Sequence, residues 1–197
     1  MAINFDWYIG IDEVGRGPLA GPITICAMAF KDRKPLFLKG IKDSKKLTEE
    51  KRKNWKEKIE KEYDSGKILF SIKSSDHGAI DELGITESVN LAIKDALREL
   101  AIDPSTCKVL LDGGLRAPKE YIFQETIIKG DEKEHVIGAA SIFAKIDRDA
   151  FMREQSVLYP EYGFDEHKGY GTSAHYKAIK KHGLCKIHRR SFLSGMI

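Results

Sequence analysis

A loop that favours neither helix nor strand separates two short apolar segments near the start of the chain. It lies in the stretch GIDEVGRGPLAGP, at positions 10–22. Glycine and proline interrupt regular structure, so the flanking segments 7–11 and 22–30 are predicted to be strands joined by this loop. Asp12 and Glu13 stand side by side where the first strand is expected to end. Because the loop has few residues that pack a core, it is a candidate for a functional role.

Alternating strand-like and helix-like patterns along the chain predict one mixed α/β sheet with helices on both faces. Thr48 is expected to cap the first long helix, and Thr172 the last helix. No internal repeat or linker interrupts the chain, so we expect a single domain over 1–197, in which about 160–197 form a helical C-terminal part. The other expected strands are 67–75, 108–114 and 121–131. The expected helices are 49–63, 134–159 and 172–183, and 81–102 is expected to form a short turn followed by a helix.

Cysteine usage and the N-terminus indicate a globular protein of a reducing compartment. Cys26, Cys107 and Cys185 are far apart and form no CxxC pair, which argues against a disulfide framework or a cysteine-rich zinc site. The N-terminus lacks the basic and apolar regions of a signal peptide, and no apolar run is long enough for a membrane span. We therefore expect a cytoplasmic protein with no membrane partner. We also expect it to be a monomer.

Positive charge is concentrated in two segments. The chain carries a net charge of +3, yet residues 39–62 alone carry +4 and residues 164–197 carry +5, so the remainder is acidic. Basic segments beside an acidic remainder would suit a polyanion held next to a carboxylate site. Solvated helix faces would give the same pattern, so charge alone leaves both interpretations open.

Acidic side chains recur where strands are expected to end. Asp12 and Glu13 follow the first strand, Asp112 stands before two glycines at the end of the strand at 108–114, and Asp131 ends the strand at 121–131. In α/β sheets, functional groups gather where strands end and loops diverge. Carboxylates brought together would repel one another unless divalent cations lie between them, and such hard oxygen ligands select Mg²⁺ or Mn²⁺. The pattern therefore suggests a two-metal site for phosphodiester chemistry.

Each acid also has a simpler explanation. Asp131 alone would serve as the N-cap of the helix that follows, and Asp112 before two glycines would serve as a turn residue. Neighbouring side chains on a strand point to opposite faces, so Asp12 and Glu13 would not both turn inward without a change in the backbone. Spacing in the sequence does not show that the four carboxylates meet.

Seven motifs occur in an order that resembles a known family. They are GIDEVGRGPLAGP, DSKKL, LLDGG, KGD, AASIFAKIDRD, HKGYGT and IHRRSF, and they run from residue 10 to residue 192. The set resembles ribonuclease HII, the type 2 ribonuclease H family, in its bacterial form. The first motif is long and specific, and the resemblance covers nearly the whole chain.

The resemblance implies a ribonuclease H-like fold and an endonuclease that hydrolyses the RNA of RNA–DNA hybrids. In this family the cut falls on the 5′ side of a ribonucleotide, including a single one embedded in duplex DNA, and leaves a 3′-hydroxyl and a 5′-phosphate. Two Mg²⁺ or Mn²⁺ ions are the implied cofactors. The C-terminal part is expected to contribute to substrate binding.

The resemblance also assigns residues by motif. The catalytic, metal-binding acids would be Asp12, Glu13, Asp112 and Asp131. Gly15, Arg16 and Gly17 would read the ribose 2′-hydroxyl, Lys45 of DSKKL would contact a phosphate, and Tyr170 of HKGYGT would stack on the sugar beyond the junction. Our mechanistic hypothesis makes Asp12 the most central acid, shared by both ions.

Other chemistries fit the sequence less well. Ser141 and Lys145 lie one helical turn apart, but a small-residue helix face explains this spacing better than a Ser–Lys nucleophile. None of the six histidines has a zinc-protease spacing, and His167 and His188, although inside the motifs, receive no catalytic role. The remaining alternatives are a catalytically silent hybrid-binding module and a two-metal nuclease that cuts DNA junctions.

Overall fold

The central element is a mixed five-stranded sheet. The computed structural model of the protein describes residues 4–41 and 47–195. The strands are β1 (Trp7–Val14), β2 (Ile23–Phe30), β3 (Ile68–Ser75), β4 (Cys107–Asp112) and β5 (Gln124–Ile127). Their spatial order is β3-β2-β1-β4-β5, with antiparallel pairing in the first half and parallel pairing of β1, β4 and β5. The predicted mixed sheet is therefore confirmed.

Helices cover both faces of this sheet, as predicted. They are α1 (Glu49–Asp64), α2 (His77–Leu83), α3 (Ile85–Leu100), α4 (Gly130–Lys133), α5 (His135–Leu158), α6 (Phe164–His167) and α7 (Ser173–His182), with 3-10 turns at Leu36–Leu38, Pro160–Tyr162 and Arg190–Phe192. α3 packs its apolar face on one side of the sheet. α5 and α1 pack on the other side. Each face of the sheet thus has its own apolar layer.

Capping residues begin several helices as the sequence predicts. The hydroxyl of Thr48 accepts the N–H of Lys51 at 3.3 Å, and that of Thr172 accepts the N–H of His175 at 3.2 Å. The expected turn at the start of 81–102 is wrong, because a separate helix, α2, begins at His77. Asp76 caps α2 through its carboxylate. Asp76 is therefore the sequence feature that marks the start of α2, which the pattern of apolar residues did not reveal.

The strand boundaries differ from prediction at the acids. β1 does not end at residue 11 but continues to Val14, because its backbone remains paired with β2 as far as Thr24. Asp12 and Glu13 therefore lie inside the strand rather than after it. β5 ends at Ile127, and Asp131 lies in the first turn of α4 instead of ending a strand.

The long helix α5 lies unusually close to β1. A Cβ atom on Gly10 would stand 2.2 Å from the carbonyl oxygen of Val136, so only glycine permits this packing. The small residues of α5 at 138–141 are buried, as predicted for a helix packed closely on a sheet. This contact sets the height of α5 above the end of β1, where Asp12 lies.

The C-terminal part packs against the loop that follows β1. Leu19 and Ala20 of that loop share a small apolar cluster with Met152 of α5 and with Phe164 and Ile187. All three cysteines are free thiols, which is consistent with the sequence analysis. Within residues 4–41 and 47–195, no helix combines the length and the apolar character that crossing a membrane would require.

Substituting Gly10→Ala should destabilise the protein by about 3 kcal/mol or more, because the new methyl group would force α5 away from β1. Urea unfolding followed by circular dichroism measures this change. Gly114→Ala is the matched control, since a Cβ there meets no atom within 4 Å. Equal stability of the two variants would contradict the close approach as the reason for Gly10.

Candidate active site

Parallel pairing of β1 with β4 brings two acids to one end of the sheet. The register places Ile11 opposite Leu111, so Asp12 and Asp112 follow at the same level on adjacent strands. Glu13 joins them: one carboxylate oxygen from each of Asp12, Glu13 and Asp112 lies within 4.8 Å of the other two. The structure thus brings together three of the four predicted acids.

Asp12 is strongly affected by its surroundings. It is 1% exposed; its Oδ1 accepts the N–H of Glu13 at 2.8 Å, while its buried Oδ2 has no hydrogen-bond partner among the described residues. Burial raises the pKa of Asp12 well above its usual value, and the charges of Glu13 and Asp112 raise it further. An interaction with the Ser141 hydroxyl lowers the pKa and only partly offsets these effects.

The fourth predicted acid, Asp131, lies beside this group but outside the set of three. It is 5% exposed and belongs to α4, which is tied to the cluster because the N–H of Gly130 donates to Asp112 Oδ1 at 2.6 Å. A Cβ on Gly130 would stand 3.3 Å from that same oxygen. The simpler N-cap interpretation of Asp131 is wrong, because the residue before α5 is Glu134.

The cluster fits a divalent cation by its chemistry. Its donors are all carboxylate oxygens, and one of them, Asp12 Oδ2, is buried with no protein hydrogen-bond partner among the described residues. A buried, unpaired carboxylate oxygen is costly unless a positive charge compensates it. Oxygen-only ligand sets of this kind suit Mg²⁺ or Mn²⁺ rather than softer metals.

A cleft of about 240 Å³ opens beside the acids. It is lined by Glu13 and Val14 of β1, by Gly15, Arg16 and Gly17 of the following loop, by Lys145 and by Tyr170. Nη1 of the half-exposed Arg16 lies 3.6 Å from Oε1 of Glu13, whose side chain is mostly buried. Four of the five predicted substrate-binding residues therefore share one cleft, whereas Lys45 lies outside the described residues.

A chain of hydrogen bonds supports Tyr170 from beneath. The N–H of Cys185 donates to Nδ1 of His188, His188 Nε2 lies 3.1 Å from His175 Nε2, and His175 Nδ1 lies 3.0 Å from the Tyr170 carbonyl oxygen. One assignment of neutral tautomers satisfies every link: His188 donates to His175, and His175 donates to Tyr170. The two buried histidines thus hold the backbone of Tyr170.

Several residues near the cleft were not predicted as site residues. Lys145 lines the cleft and pairs with Asp149 at 2.5 Å, while Ser141 is buried beside Asp12, so they do not form a nucleophile pair. Two fully buried arginines, Arg148 and Arg189, lie under the loop after β1. Two sequence features could have pointed to them. Arg148 is a charged residue on an otherwise apolar face of the predicted helix, and Arg189 belongs to the IHRRSF motif, to which no role was assigned.

Solved structures identify the architecture. The ribonuclease H2 of Pyrococcus horikoshii has a TM-score of 0.67 at 26% identity, covering 94% of this chain and 93% of that one. The ribonuclease HII in the PCNA complex from Archaeoglobus fulgidus has a TM-score of 0.71 at 22% identity, covering 92% and 93%. Bst-RNase HIII in complex with Mn²⁺ gives 0.66 at 19% identity, covering 94% and 64%. The fold is ribonuclease H-like.

Sequence comparison narrows this class to one family. The model of the family Ribonuclease HII matches residues 9–194. The Ribonuclease HII proteins of Caldicellulosiruptor saccharolyticus and Caldicellulosiruptor bescii are 43% and 44% identical over 194 residues, which cover 98% of this chain and 90% of each relative. The chain belongs to the ribonuclease HII family, and it is thereby a ribonuclease H endonuclease. The ribonuclease H family depends on metal ions and acts on RNA–DNA hybrids.

Neutralising Asp12 should stabilise the metal-free protein. Asp12→Asn keeps an oxygen that accepts the Glu13 N–H but removes a buried charge from a repelling cluster. We expect a gain of about 1 to 2 kcal/mol, which raises the thermal midpoint in EDTA by about 3 to 6 °C. The exposed acid substitution Glu120→Gln is the control and should leave the midpoint unchanged. A lower midpoint for Asp12→Asn would contradict the repulsion.

Acid should weaken the fold through the histidine pair. Burial lowers the pKa of His175 to about 4, against 6.5 in the unfolded chain, so the unfolded chain binds more protons between these values. The contribution of His175 to stability is therefore lost as pH falls from about 6.5 towards 4, by about 2 kcal/mol. Thermal midpoints across this range should depend on pH less steeply in His175→Gln than in the exposed control His182→Gln. Parallel profiles would contradict this assignment.

Proposed function

We propose that the chain is a metal-dependent endonuclease that hydrolyses the RNA strand of RNA–DNA hybrids and nicks 5′ of ribonucleotides embedded in duplex DNA. The products would carry a 3′-hydroxyl and a 5′-phosphate. The observation that carries the proposal is the position of the cluster of Asp12, Glu13 and Asp112 beside the cleft lined by the Gly15–Gly17 loop and Tyr170. Glu13 belongs both to the acid cluster that would bind cations and to the lining of the cleft that would receive the sugar.

Four acids would hold the cations. Asp12, Glu13 and Asp112 already converge, and Asp131 is held next to them through the contact of Gly130 with Asp112. Asp12 is the candidate for the most central ligand, because both its neighbour in the chain, Glu13, and the aspartate of the adjacent strand, Asp112, converge with it. When bound, Mg²⁺ or Mn²⁺ would supply an activated water and stabilise charge on the leaving oxygen.

The loop after β1 would recognise the ribose. A 2′-hydroxyl is what distinguishes RNA from DNA at a given sugar, and backbone groups of Gly15 and Gly17 can approach it closely because no side chain intervenes. Arg16, exposed at the cleft, would contact the adjacent phosphate. Tyr170 presents a half-exposed ring on which the neighbouring sugar would stack.

The rest of the duplex would be held by charge. Lys45 would contact a phosphate, and the basic residues of 39–62 and of the C-terminal part would contribute further phosphate contacts. Packing of the C-terminal part against Leu19 and Ala20 supports this role for the basic residues of that part, because it joins that part of the chain to the loop. We expect the chain to act as a single catalytic domain and as a monomer.

The decisive substrate is a DNA duplex that contains one ribonucleotide. We expect a single nick on its 5′ side with Mg²⁺ or Mn²⁺ and none with EDTA. The upstream product should be extended by a DNA polymerase, and the downstream product should accept a kinase label only after phosphatase treatment. Asp112→Asn should lower the rate at least about a hundredfold, because it removes a cation ligand, while Glu120→Gln should retain it.

Each other outcome has a distinct meaning. Binding without a metal-dependent nick would indicate the silent hybrid-binding module, and cutting of the all-DNA duplex would indicate a nuclease of the junction-cutting type. Near-normal cleavage by Asp112→Asn would refute the assignment of the acids even if the substrate class were right.

A further inference from the structure

The loop after β1 turns its carbonyl groups inward onto one buried guanidinium. Arg189, from the IHRRSF motif, donates from Nη2 to the Gly15 oxygen at 2.6 Å, from Nη1 to the Arg16 oxygen at 3.1 Å and from Nε to the Gly21 oxygen at 2.9 Å. All three acceptors are backbone atoms. A single side chain therefore sets the orientation of two consecutive peptide groups in the loop.

A second buried guanidinium holds the remainder of the loop. Arg148 of α5 donates from Nε to the Pro22 oxygen at 2.9 Å and from Nη2 to the Ala20 oxygen at 3.2 Å. A Cβ atom on Gly15 would lie only 2.1 Å from the Nε of Arg148, which accounts for glycine at that position. Arg148 and Arg189 together engage five carbonyl groups between residues 15 and 22.

This arrangement is costly for a purely structural brace. Both arginines are fully buried, and within residues 4–41 and 47–195 neither forms an ion pair with a carboxylate. Burial and the charge of Arg148 lower the pKa of Arg189 to about 9, so at neutral pH Arg189 still carries its proton and all its donors. Two positively charged guanidinium groups are therefore buried together, and what compensates them is their hydrogen bonds to backbone carbonyl groups.

Peptide geometry shows what that orientation produces. In a trans peptide the C=O of one residue and the N–H of the next point in opposite directions. With the Gly15 and Arg16 oxygens directed at Arg189, the N–H groups of Arg16 and Gly17 point away from it. Both residues are exposed and line the cleft, and neither N–H donates a hydrogen bond to any part of the chain that the structure describes.

We propose that Arg189 is a positioning residue for ribose recognition, which holds the amides of Arg16 and Gly17 towards the ribonucleotide, with Arg148 supporting the rest of the loop. The inference rests on the proposed function, since it assumes that this loop reads the sugar. Arg189 would orient these amides although its own side chain does not line the cleft.

The loop remains attached when the Arg189 side chain is changed, which makes the proposal testable. The N–H of Arg189 donates to the Leu19 oxygen at 2.8 Å, the N–H of Gly21 donates to the Ile187 oxygen at 2.9 Å, and Ala20 forms a β-bridge with His188. These backbone contacts do not depend on the guanidinium. Arg189→Lys retains the charge but loses the planar three-way donor, so it removes the orientation specifically.

The test compares Arg189→Lys with Arg190→Lys, whose arginine is exposed one position further along. Binding is measured for two matched duplexes, one with a single ribonucleotide and one entirely of DNA, with Ca²⁺ in place of the catalytic ion; cleavage is measured separately with Mn²⁺. We expect Arg189→Lys to lose about tenfold or more of the preference for the ribonucleotide. Its affinity for the all-DNA duplex and its metal-induced thermal shift should match those of Arg190→Lys.

Three results would overturn the proposal: an unchanged ribonucleotide preference in Arg189→Lys, an equal loss of affinity for both duplexes, or a loss of preference in Arg190→Lys as well. If the Arg189 variant fails to fold, an amide-to-ester replacement at Gly17 removes the outward N–H and leaves Arg189 in place. A retained preference there would also refute the proposal. Absence of any ribonucleotide preference in the unaltered protein would instead refute the proposed function.

Discussion

Parallel pairing between β1 and β4 is the interaction on which the site depends. Ile11 pairs with Leu111, and the next residue on each strand is an aspartate. The two carboxylates therefore lie side by side at the carboxyl ends of the two strands. Repulsion between them is held in check by the packing of both sheet faces, with α3 on one side and α5 on the other. Repulsion between these carboxylates destabilises the metal-free protein, and a bound divalent cation would neutralise it.

The second constraint is the joining of the loop after β1 to the end of the chain. Backbone contacts of 187–189 with residues 19–21, together with the Arg189 side chain, bind two segments that are far apart in sequence. The same C-terminal segment supports Tyr170 through His188 and His175. The three converging acids therefore rest on the sheet, whereas Tyr170 and the loop proposed to read the sugar are held by the C-terminal part.

Prediction succeeded where the signal was local. The helix within 81–102, the caps Thr48 and Thr172, and the position of Asp112 at the end of a strand were all predicted from the sequence. It failed at β1 and β5, where the limits of pairing depend on the neighbouring strand rather than on the residues themselves. The roles of Arg148 and Arg189 were missed, because a buried arginine looks like a surface one until its partners are known.

The sequence by itself determined the kinds of groups available: carboxylates next to glycine-rich turns, a loop without side-chain bulk, basic segments, and the ordered motifs of the ribonuclease HII family. Only the tertiary structure decided which groups share a site. It brought carboxylate oxygens of three acids within 4.8 Å of one another, placed Asp131 on an adjacent short helix, and directed carbonyl oxygens of the loop at Arg189. The physical reason is that strand register, helix height above Gly10 and peptide orientation are set by contacts between residues many positions apart.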